Sequence, residues 1–304
     1  MKNATGGSMA QTRLSKEARD ALTPFPCGQC MPCLINKKRT WYCRLYLEAS
    51  TCGSSVFTTL TYDDEHLPEN NSLKSEDLKF FIKKLRKKLS PIKFRFFGIG
   101  EYGTDGERYL VHNRPNPHYH LILFGVGLSA FWQIEKSWYR RGKKIGIVDT
   151  VENSPELMQY ICGYITKKLD RPGAIYSEKK EVQAKAKEYM EKNYPWFDYD
   201  KMEWEFRLMS KQKGGIGLEA IKQMAESYLR SGADLDHVIR QVKIRTKNLP
   251  LGRYLTEKLF EELDMDVSVK TKELLIYQEQ LFQEHLCQDD GQECYYTKIV
   301  ESQE

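Results

Sequence analysis

A short apolar stretch around residue 120, with the sequence HYHLILF, constrains the fold of this chain more than any other segment. Its branched and aromatic residues are typical of a β-strand, and the pattern predicts a strand over His118–Val126. Side chains alternate along a strand, so His118 and His120 share one face while Tyr119 and Leu121 share the other. Two imidazoles on one face of a rigid strand form half of a metal site.

The elements around this strand predict an α+β fold. The predicted strands are Ser54–Tyr62, Lys93–Gly100, His118–Val126 and Ile145–Val151, and the predicted helices are Asn36–Ala49, Ser75–Leu89, Ser129–Tyr139 and Ser154–Leu169. This order is typical of a central antiparallel sheet of about five strands with helices on one face. We expect the histidine strand to be central, with the last of these helices across its exposed face. A mostly helical region follows residue 170.

Four segments are expected along the chain. They are a poorly ordered N-terminal segment (1–25), a cysteine-rich knuckle with a helix (26–53), the domain with the histidine strand (54–170) and a mostly helical accessory region (171–304).

Charge is distributed unevenly between the two parts of the chain. Residues 1–170 contain 26 Lys and Arg against 17 Asp and Glu, a net +9, whereas residues 171–304 contain 21 against 25, a net −4. A basic front half suits an anionic partner such as DNA, although a modest excess is also found on ordinary solvated surfaces. Neither a long apolar run nor an apolar signal segment is present, which predicts an intracellular protein.

A divalent ion needs a third ligand besides the two histidines. Glu101 is the best candidate, because it ends the predicted strand KFRFFGIG, which is expected to pair beside the histidine strand. Two imidazoles and one carboxylate leave coordination positions open for a phosphate oxygen and water. Two ordinary strand histidines are the alternative reading of the motif taken alone.

Two tyrosines are the candidate nucleophiles. Tyr160 and Tyr164 are four residues apart, on one face of the predicted helix. A phenol is a poor nucleophile at neutral pH, so a metal or a cation must stabilise the developing charge. Lys167 falls on nearly the same face and could serve this purpose, whereas Lys168 is expected to be a solvated charge. Core packing is the commoner reason for paired tyrosines, but the lysines disfavour a buried stripe.

The ordered motifs resemble a known family. FTTLTY, GEYG, the histidine-tyrosine-histidine strand and YICGYITKK occur here in the order found in rolling-circle replication initiators of the HUH endonuclease superfamily. The chain is most similar to the initiators of gokushovirus-type microviruses, which are small single-stranded DNA phages. PCGQCMPC near the start and LTYDDEHLP also fit this resemblance, which covers roughly residues 26–220.

The resemblance implies a site and a reaction. His118, His120 and Glu101 would bind Mg²⁺ or Mn²⁺, and Tyr164 would attack the scissile phosphate of origin DNA. The products would be a 5′-phosphotyrosine link and a 3′-OH primer for a host DNA polymerase, and the strand would later be rejoined. Tyr160 would be a second nucleophile.

This sequence departs from the family in one respect, since Gly163 stands three residues after Tyr160 where two-tyrosine members have lysine. No P-loop is present, so unwinding would require a host helicase. The cytoplasm of the bacterial host would be the location.

The clustered cysteines suggest a second metal. Cys27, Cys30, Cys33 and Cys43 could form a structural zinc site, although the interval before Cys43 is irregular and Cys52 is an equally good fourth ligand. Reduced, unligated thiols are the open alternative.

Two other functions compete with nicking. A non-catalytic, sequence-specific DNA-binding regulator, built on the cysteine knuckle and a basic helix, would bind without cleaving. A metal-dependent hydrolase would cleave through activated water without remaining attached to the DNA.

Overall fold

A computed structural model describes residues 31–103, 115–166, 180–198, 200–211, 214–232 and 240–265. The chain divides into two compact units, one formed by residues 35–256 and the other by residues 1–34 with 257–304. The larger unit contains the central sheet and the metal-ligand and tyrosine candidates. None of the described helices has the length and apolar character needed to cross a membrane.

The helices and strands alternate through the first part of the described chain. The helices are α1 (Met31–Ser50), α2 (Ser75–Leu89), α3 (Phe131–Glu135), α4 (Pro155–Thr166), α5 (Lys180–Asn193), α6 (Leu218–Ser231) and α7 (Gly252–Glu262). The strands are β1 (Ser55–Thr61), β2 (Arg95–Gly103), β3 (Asn116–Phe124), β4 (Tyr139–Arg140), β5 (Lys143–Lys144), β6 (Val148–Glu152), β7 (Phe206–Met209), β8 (Gln241–Ile244) and β9 (Lys247–Pro250).

Five antiparallel strands form the central sheet in the order β6-β1-β3-β2-β7. The α+β class and the five-stranded antiparallel sheet are therefore confirmed, with the histidine strand β3 in the centre. The fifth strand, β7, lies beyond residue 170, so the sheet extends past the predicted boundary of its domain.

One face of the sheet packs against α2. Glu76 lies in the first turn of this helix, and its buried stripe is Leu78, Phe81, Ile82, Leu85 and Leu89, as the 3.6-residue spacing predicts. The stripe belongs to a buried cluster that also contains Tyr119 and Leu121 of β3. The face of β3 opposite the histidines is thus the hydrophobic core.

The histidine face is covered by two other helices. Trp41 of α1 packs on Phe97 of β2 with ring centroids 5.2 Å apart. Tyr160 and Tyr164 of α4 pack on His120, with centroids 5.4 and 5.5 Å away. Helices therefore lie on both faces, and α4 occupies the face to which the sequence assigned it.

One predicted helix is much shorter than expected. The helix predicted over Ser129–Tyr139 is limited to α3 and a preceding 3₁₀ turn, and Tyr139 already begins the β4–β5 hairpin. Trp138 explains the early end, because it is buried and its indole Nε1 donates to the carbonyl of Thr61 at 2.7 Å. This long-range contact overrides the local helical pattern.

Candidate metal and nucleophile site

The strand register places the candidate metal ligands in two neighbouring rows across the sheet. Directly paired residues of antiparallel strands point to the same face. His118 pairs with Glu101 of β2, and His120 pairs with Thr59 of β1 and with Ile99 of β2. The sheet pairing thus brings together two histidines that are adjacent on one face and a glutamate from the next strand.

The three side chains converge on one point. Ligand atoms of Glu101, His118 and His120 all lie within 4.8 Å of one another, and His118 Nε2 is 3.3 Å from Glu101 Oε1. Glu101 and His120 are 9% and 5% exposed. In the described part of the chain, no other trio of His, Cys, Asp or Glu is gathered in this way.

His118 is oriented by its main-chain partner. Its Nδ1 lies 2.9 Å from the carbonyl oxygen of Asn116, which can only accept, so Nδ1 carries the proton. The lone pair of the neutral ring is then on Nε2, which faces Glu101. Burial lowers the pKa of His118, but the hydrogen bond and the charge of Glu101 outweigh burial and raise it above the ordinary value.

His120 is held by a threonine. Its Nδ1 lies 3.0 Å from the hydroxyl of Thr59, whereas Nε2 is buried and has no hydrogen-bond partner among the described residues. Burial, with a smaller effect from His118, lowers the pKa of His120 to about 3. The ring is therefore neutral at physiological pH and can offer a lone pair to a cation.

These residues fit a divalent cation. Buried polar atoms without partners are rare, and here both His120 Nε2 and Glu101 Oε2 are buried acceptors without a partner among the described residues. Ligands bound at about 2.1 Å lie roughly 3 to 4.2 Å apart around one ion, so a small side-chain adjustment would close the trio. The site could hold Mg²⁺, Mn²⁺ or another divalent ion, and its chemistry alone does not select among them.

Local sequence explains how α4 presents its tyrosines. Pro155 begins the helix, where proline is favoured, and the Ser154 hydroxyl accepts a hydrogen bond from the Leu157 amide at 3.3 Å. Ile161 and Cys162 are fully buried and fix the side of the helix that faces the protein.

The two tyrosines form one aromatic group with His120. The Tyr164 ring stacks on His120 at an interplanar angle of 22°, whereas the Tyr160 ring is nearly perpendicular to it. The hydroxyl of Tyr164 donates a hydrogen bond to that of Tyr160. Tyr160 is 48% exposed. The structure therefore brings both predicted nucleophiles next to the predicted metal ligands.

The other predicted site residues are tested less. Lys167 and Lys168 lie outside the described residues, and so do Cys27 and Cys30. Cys33 is partly buried and Cys43 fully buried, and neither forms a disulfide. Burial raises the pKa of the Cys43 thiol to about 12. The structural zinc site stays a prediction.

Two residues of the site were not singled out from sequence. Thr59 lies within the FTTLTY motif, and its position opposite His120 could have been found by pairing the two alternating strands. Arg207 lies in β7 and lines a small cleft with Glu101 and Tyr164, and Ile99, Gly100, Glu205 and Phe206 complete the lining. Nothing in the local sequence indicates that β7 joins this sheet.

Comparison with known proteins identifies the segment that carries the site. Residues 55–169 match the family described as replication-associated protein ORF2. This segment belongs to that family. The resemblance to phage replication proteins that the motifs suggested is thereby confirmed.

Three relatives are replication-associated proteins of phages or viruses. The chain is 36% identical to VP4 of Bdellovibrio phage phiMH2K over 132 residues, 28% identical to ORF4 of Chlamydia phage 1 over 162 residues and 31% identical to ORF2 of Spiroplasma virus 4 over 138 residues. These matches cover 40%, 48% and 42% of this chain and 38%, 38% and 40% of the relatives. The chain thus spans about two fifths of each relative's length. No solved structure gives a significant match.

Proposed function

We propose that this protein initiates rolling-circle replication by nicking single-stranded origin DNA and attaching itself to the 5′ end. The observation that carries the proposal is the stacking of Tyr164 on His120, which places a phenol beside a buried cluster of cation-binding atoms. The relatives' names, which refer to replication, support the same reaction class.

Each ligand has a defined role in this proposal. Glu101, His118 and His120 would hold Mg²⁺ or Mn²⁺, while the Asn116 carbonyl and the Thr59 hydroxyl keep Nε2 of each imidazole available. When bound, the ion would supply Lewis-acid stabilisation of the charge on the phosphoryl oxygens.

The chemical step exchanges one phosphodiester for another. The Tyr164 oxygen bonds to phosphorus and loses its proton, the bond from phosphorus to the 3′ oxygen breaks, and that oxygen takes up a proton. The products are a 5′-phosphotyrosine link and a free 3′-OH. The reverse reaction, with a 3′-OH as attacking group, rejoins the strand.

Tyr160 is proposed as the second nucleophile, for the terminating transfer. It is half-exposed, and its hydroxyl accepts a hydrogen bond from that of Tyr164. The two oxygens therefore lie at the same position relative to the ligand cluster. Lys167 is proposed to steady the phosphate or the phenolate.

The proposal implies partners in the host. The 3′-OH would be extended by a host DNA polymerase, and duplex unwinding would need a host helicase. Both, and the cytoplasmic location in a bacterium, follow from the reaction proposed.

The exposed face of α2 supports DNA binding. Its exposed cations are Lys79, Lys83, Lys84, Arg86, Lys87 and Lys88. This face would also suit the alternative, a DNA-binding regulator without catalysis, and adduct formation separates the two. The regulator predicts DNA binding that survives chelation and gives no cleavage.

The decisive experiment is covalent capture. Protein, Mn²⁺ and a library of 40-nucleotide single strands are incubated, adducts are isolated under denaturing conditions, and sequencing of the attached DNA maps the cut. We expect an adduct that EDTA abolishes and that Tyr164→Phe removes. Tyr189→Phe, at an exposed tyrosine of α5, is the matched control and should retain it.

The outcomes assign the nucleophile or reject the proposal. An adduct that persists in Tyr164→Phe and disappears in Tyr160→Phe would move the nucleophile to Tyr160. Cleavage without attached protein would favour a hydrolase, and binding without cleavage would favour the regulator.

A further inference from the structure

Arg207 occupies the same face of the sheet as the metal-ligand candidates. It pairs with Ile99 of β2, and Ile99 pairs in turn with His120 of β3, so the three residues form one row across the sheet. Neighbouring strands are about 4.8 Å apart, which places the backbone of Arg207 roughly 10 Å from that of His120. The Arg207 side chain lines the cleft that Glu101 and Tyr164 also line.

The guanidinium of Arg207 lacks a full set of partners. Its Nη1 is buried and has no hydrogen-bond partner among the described residues. Burial lowers the pKa of Arg207 below the ordinary arginine value. An unsatisfied donor on a buried cation destabilises the fold, so the arrangement calls for an explanation outside the fold itself.

A neighbouring arginine shows what a structural role looks like. Arg44 and Arg207 both approach the ring of Trp41, at 4.2 and 5.2 Å from its centroid. Arg44 also contacts the Tyr254 ring, and its Nε donates to the Ile216 carbonyl at 3.1 Å. Arg44 thereby connects α1 with two later segments, whereas Arg207 adds a second positive charge nearby without a comparable bond. An anion in the cleft would offset that repulsion.

We propose that Arg207 binds a non-bridging phosphate oxygen of single-stranded DNA in the cleft beside Tyr164. The proposal rests on the function proposed above. It assigns the two charges of the cleft to opposite ligands, with Glu101 facing the cation and Arg207 the phosphate.

Arginine is suited to this role by geometry and charge. Its planar fork donates two parallel hydrogen bonds to a phosphate, and a donor already in place stabilises negative charge that grows during attack. Glu205 lines the same cleft and would repel the phosphate, but its Oε1 already accepts the Tyr102 amide at 3.1 Å. The attraction in the cleft therefore depends on Arg207.

The test compares three variants with the wild type. Arg207→Met removes charge and donors, Arg207→Lys keeps the charge without the fork, and Arg230→Gln is the control, at an exposed arginine in the last turn of α6 that does not line the cleft. Three quantities are measured: the melting temperature, the binding of the 40-nucleotide single strands in EDTA over a range of salt, and the single-turnover rate of adduct formation with Mn²⁺.

The expected results separate phosphate binding from a structural role. Arg207→Met should weaken DNA binding about tenfold and reduce the salt slope by about 0.7, the value for one phosphate contact on a single strand. It should slow adduct formation about 100-fold, as for loss of one transition-state donor. Its melting temperature should equal or exceed that of the wild type, because an unsatisfied buried donor is removed. Arg207→Lys should recover part of both losses.

Two results would overturn the proposal. One is an unchanged salt slope and adduct rate in Arg207→Met. The other is a lowered melting temperature with only a proportionate loss of binding, which would make Arg207 a structural partner of Trp41. If the wild type forms no adduct, the proposed function fails, and the salt slope still decides whether Arg207 contacts phosphate.

Discussion

The hydrogen bond between Thr59 and His120 offers a direct test of the metal site. Thr59→Val keeps the shape of the side chain and removes the hydroxyl that lies 3.0 Å from His120 Nδ1. If Nε2 binds a cation, Nδ1 must carry the proton and donate it to Thr59. In the variant, the metal-bound state would leave this buried N–H without a partner.

The expected magnitude follows from that loss. The ring of the metal-free protein can move its proton to Nε2 and avoid a buried, unsatisfied Nδ1–H, so the penalty falls on the metal-bound state alone. An unsatisfied buried donor costs about 1–3 kcal/mol. Mn²⁺ affinity should therefore fall by about 10- to 100-fold, the range typical when the outer partner of a metal-binding histidine is removed.

The adjacent threonine is the matched control. Thr58 is fully buried on the opposite face, and its hydroxyl lies 3.2 Å from that of Thr150. Thr58→Val loses one hydrogen bond of similar kind without touching a histidine. Mn²⁺ titration by calorimetry should show wild-type affinity for this variant, and urea unfolding should show a similar stability loss of about 1 kcal/mol for both.

Two outcomes would refute the reasoning. Equal Mn²⁺ affinity in Thr59→Val and wild type would mean that His120 is not a ligand through Nε2. An equal loss of affinity in both valine variants would mean that the effect comes from general loosening of β1.

Three further predictions concern the framework around the site. Gly163→Ala should raise the free energy of unfolding by about 1 kcal/mol in urea titrations, since a Cβ there meets nothing within 4 Å and alanine is the better helix former. Lys83→Gln combined with Lys87→Gln should reduce the salt slope of single-strand binding by about 1.4 and leave the adduct rate at saturating DNA unchanged. Glu48→Ala should lower the free energy of unfolding by about 3 kcal/mol in the same titrations, because it breaks a buried ion pair with Arg95 at 2.5 Å.

The part of the site that could be predicted from sequence is the part fixed by alternation. The spacing of the two histidines placed them on one face, and the end of the next strand supplied Glu101. The structure places these three side chains together because β2 and β3 pair in the expected antiparallel way. Helix α2 was predicted to the residue, since its stripe of buried residues repeats with the helical period.

The parts that could not be predicted depend on contacts between distant residues. The short α3 is determined by the buried Trp138, whose partner is Thr61 in another strand. The fifth strand, β7, contains only four residues and has no alternating signal of its own. The loop after it is tied to α1, because the Gly217 amide donates to Glu48 at 2.7 Å. Gly217 has a φ of +87°, which disfavours other residues.

The chemistry of the cleft can be read from which atoms the fold leaves unsatisfied. Three buried polar atoms around it, Glu101 Oε2, His120 Nε2 and Arg207 Nη1, have no partner among the described residues. Two are acceptors and the third is a donor on a cation, so a cation or an anion alone would satisfy only part of the set. A divalent ion together with a phosphate would satisfy all three, and Tyr164 lies beside them. A polar environment of this composition, kept against its cost to stability, is suited to phosphoryl transfer.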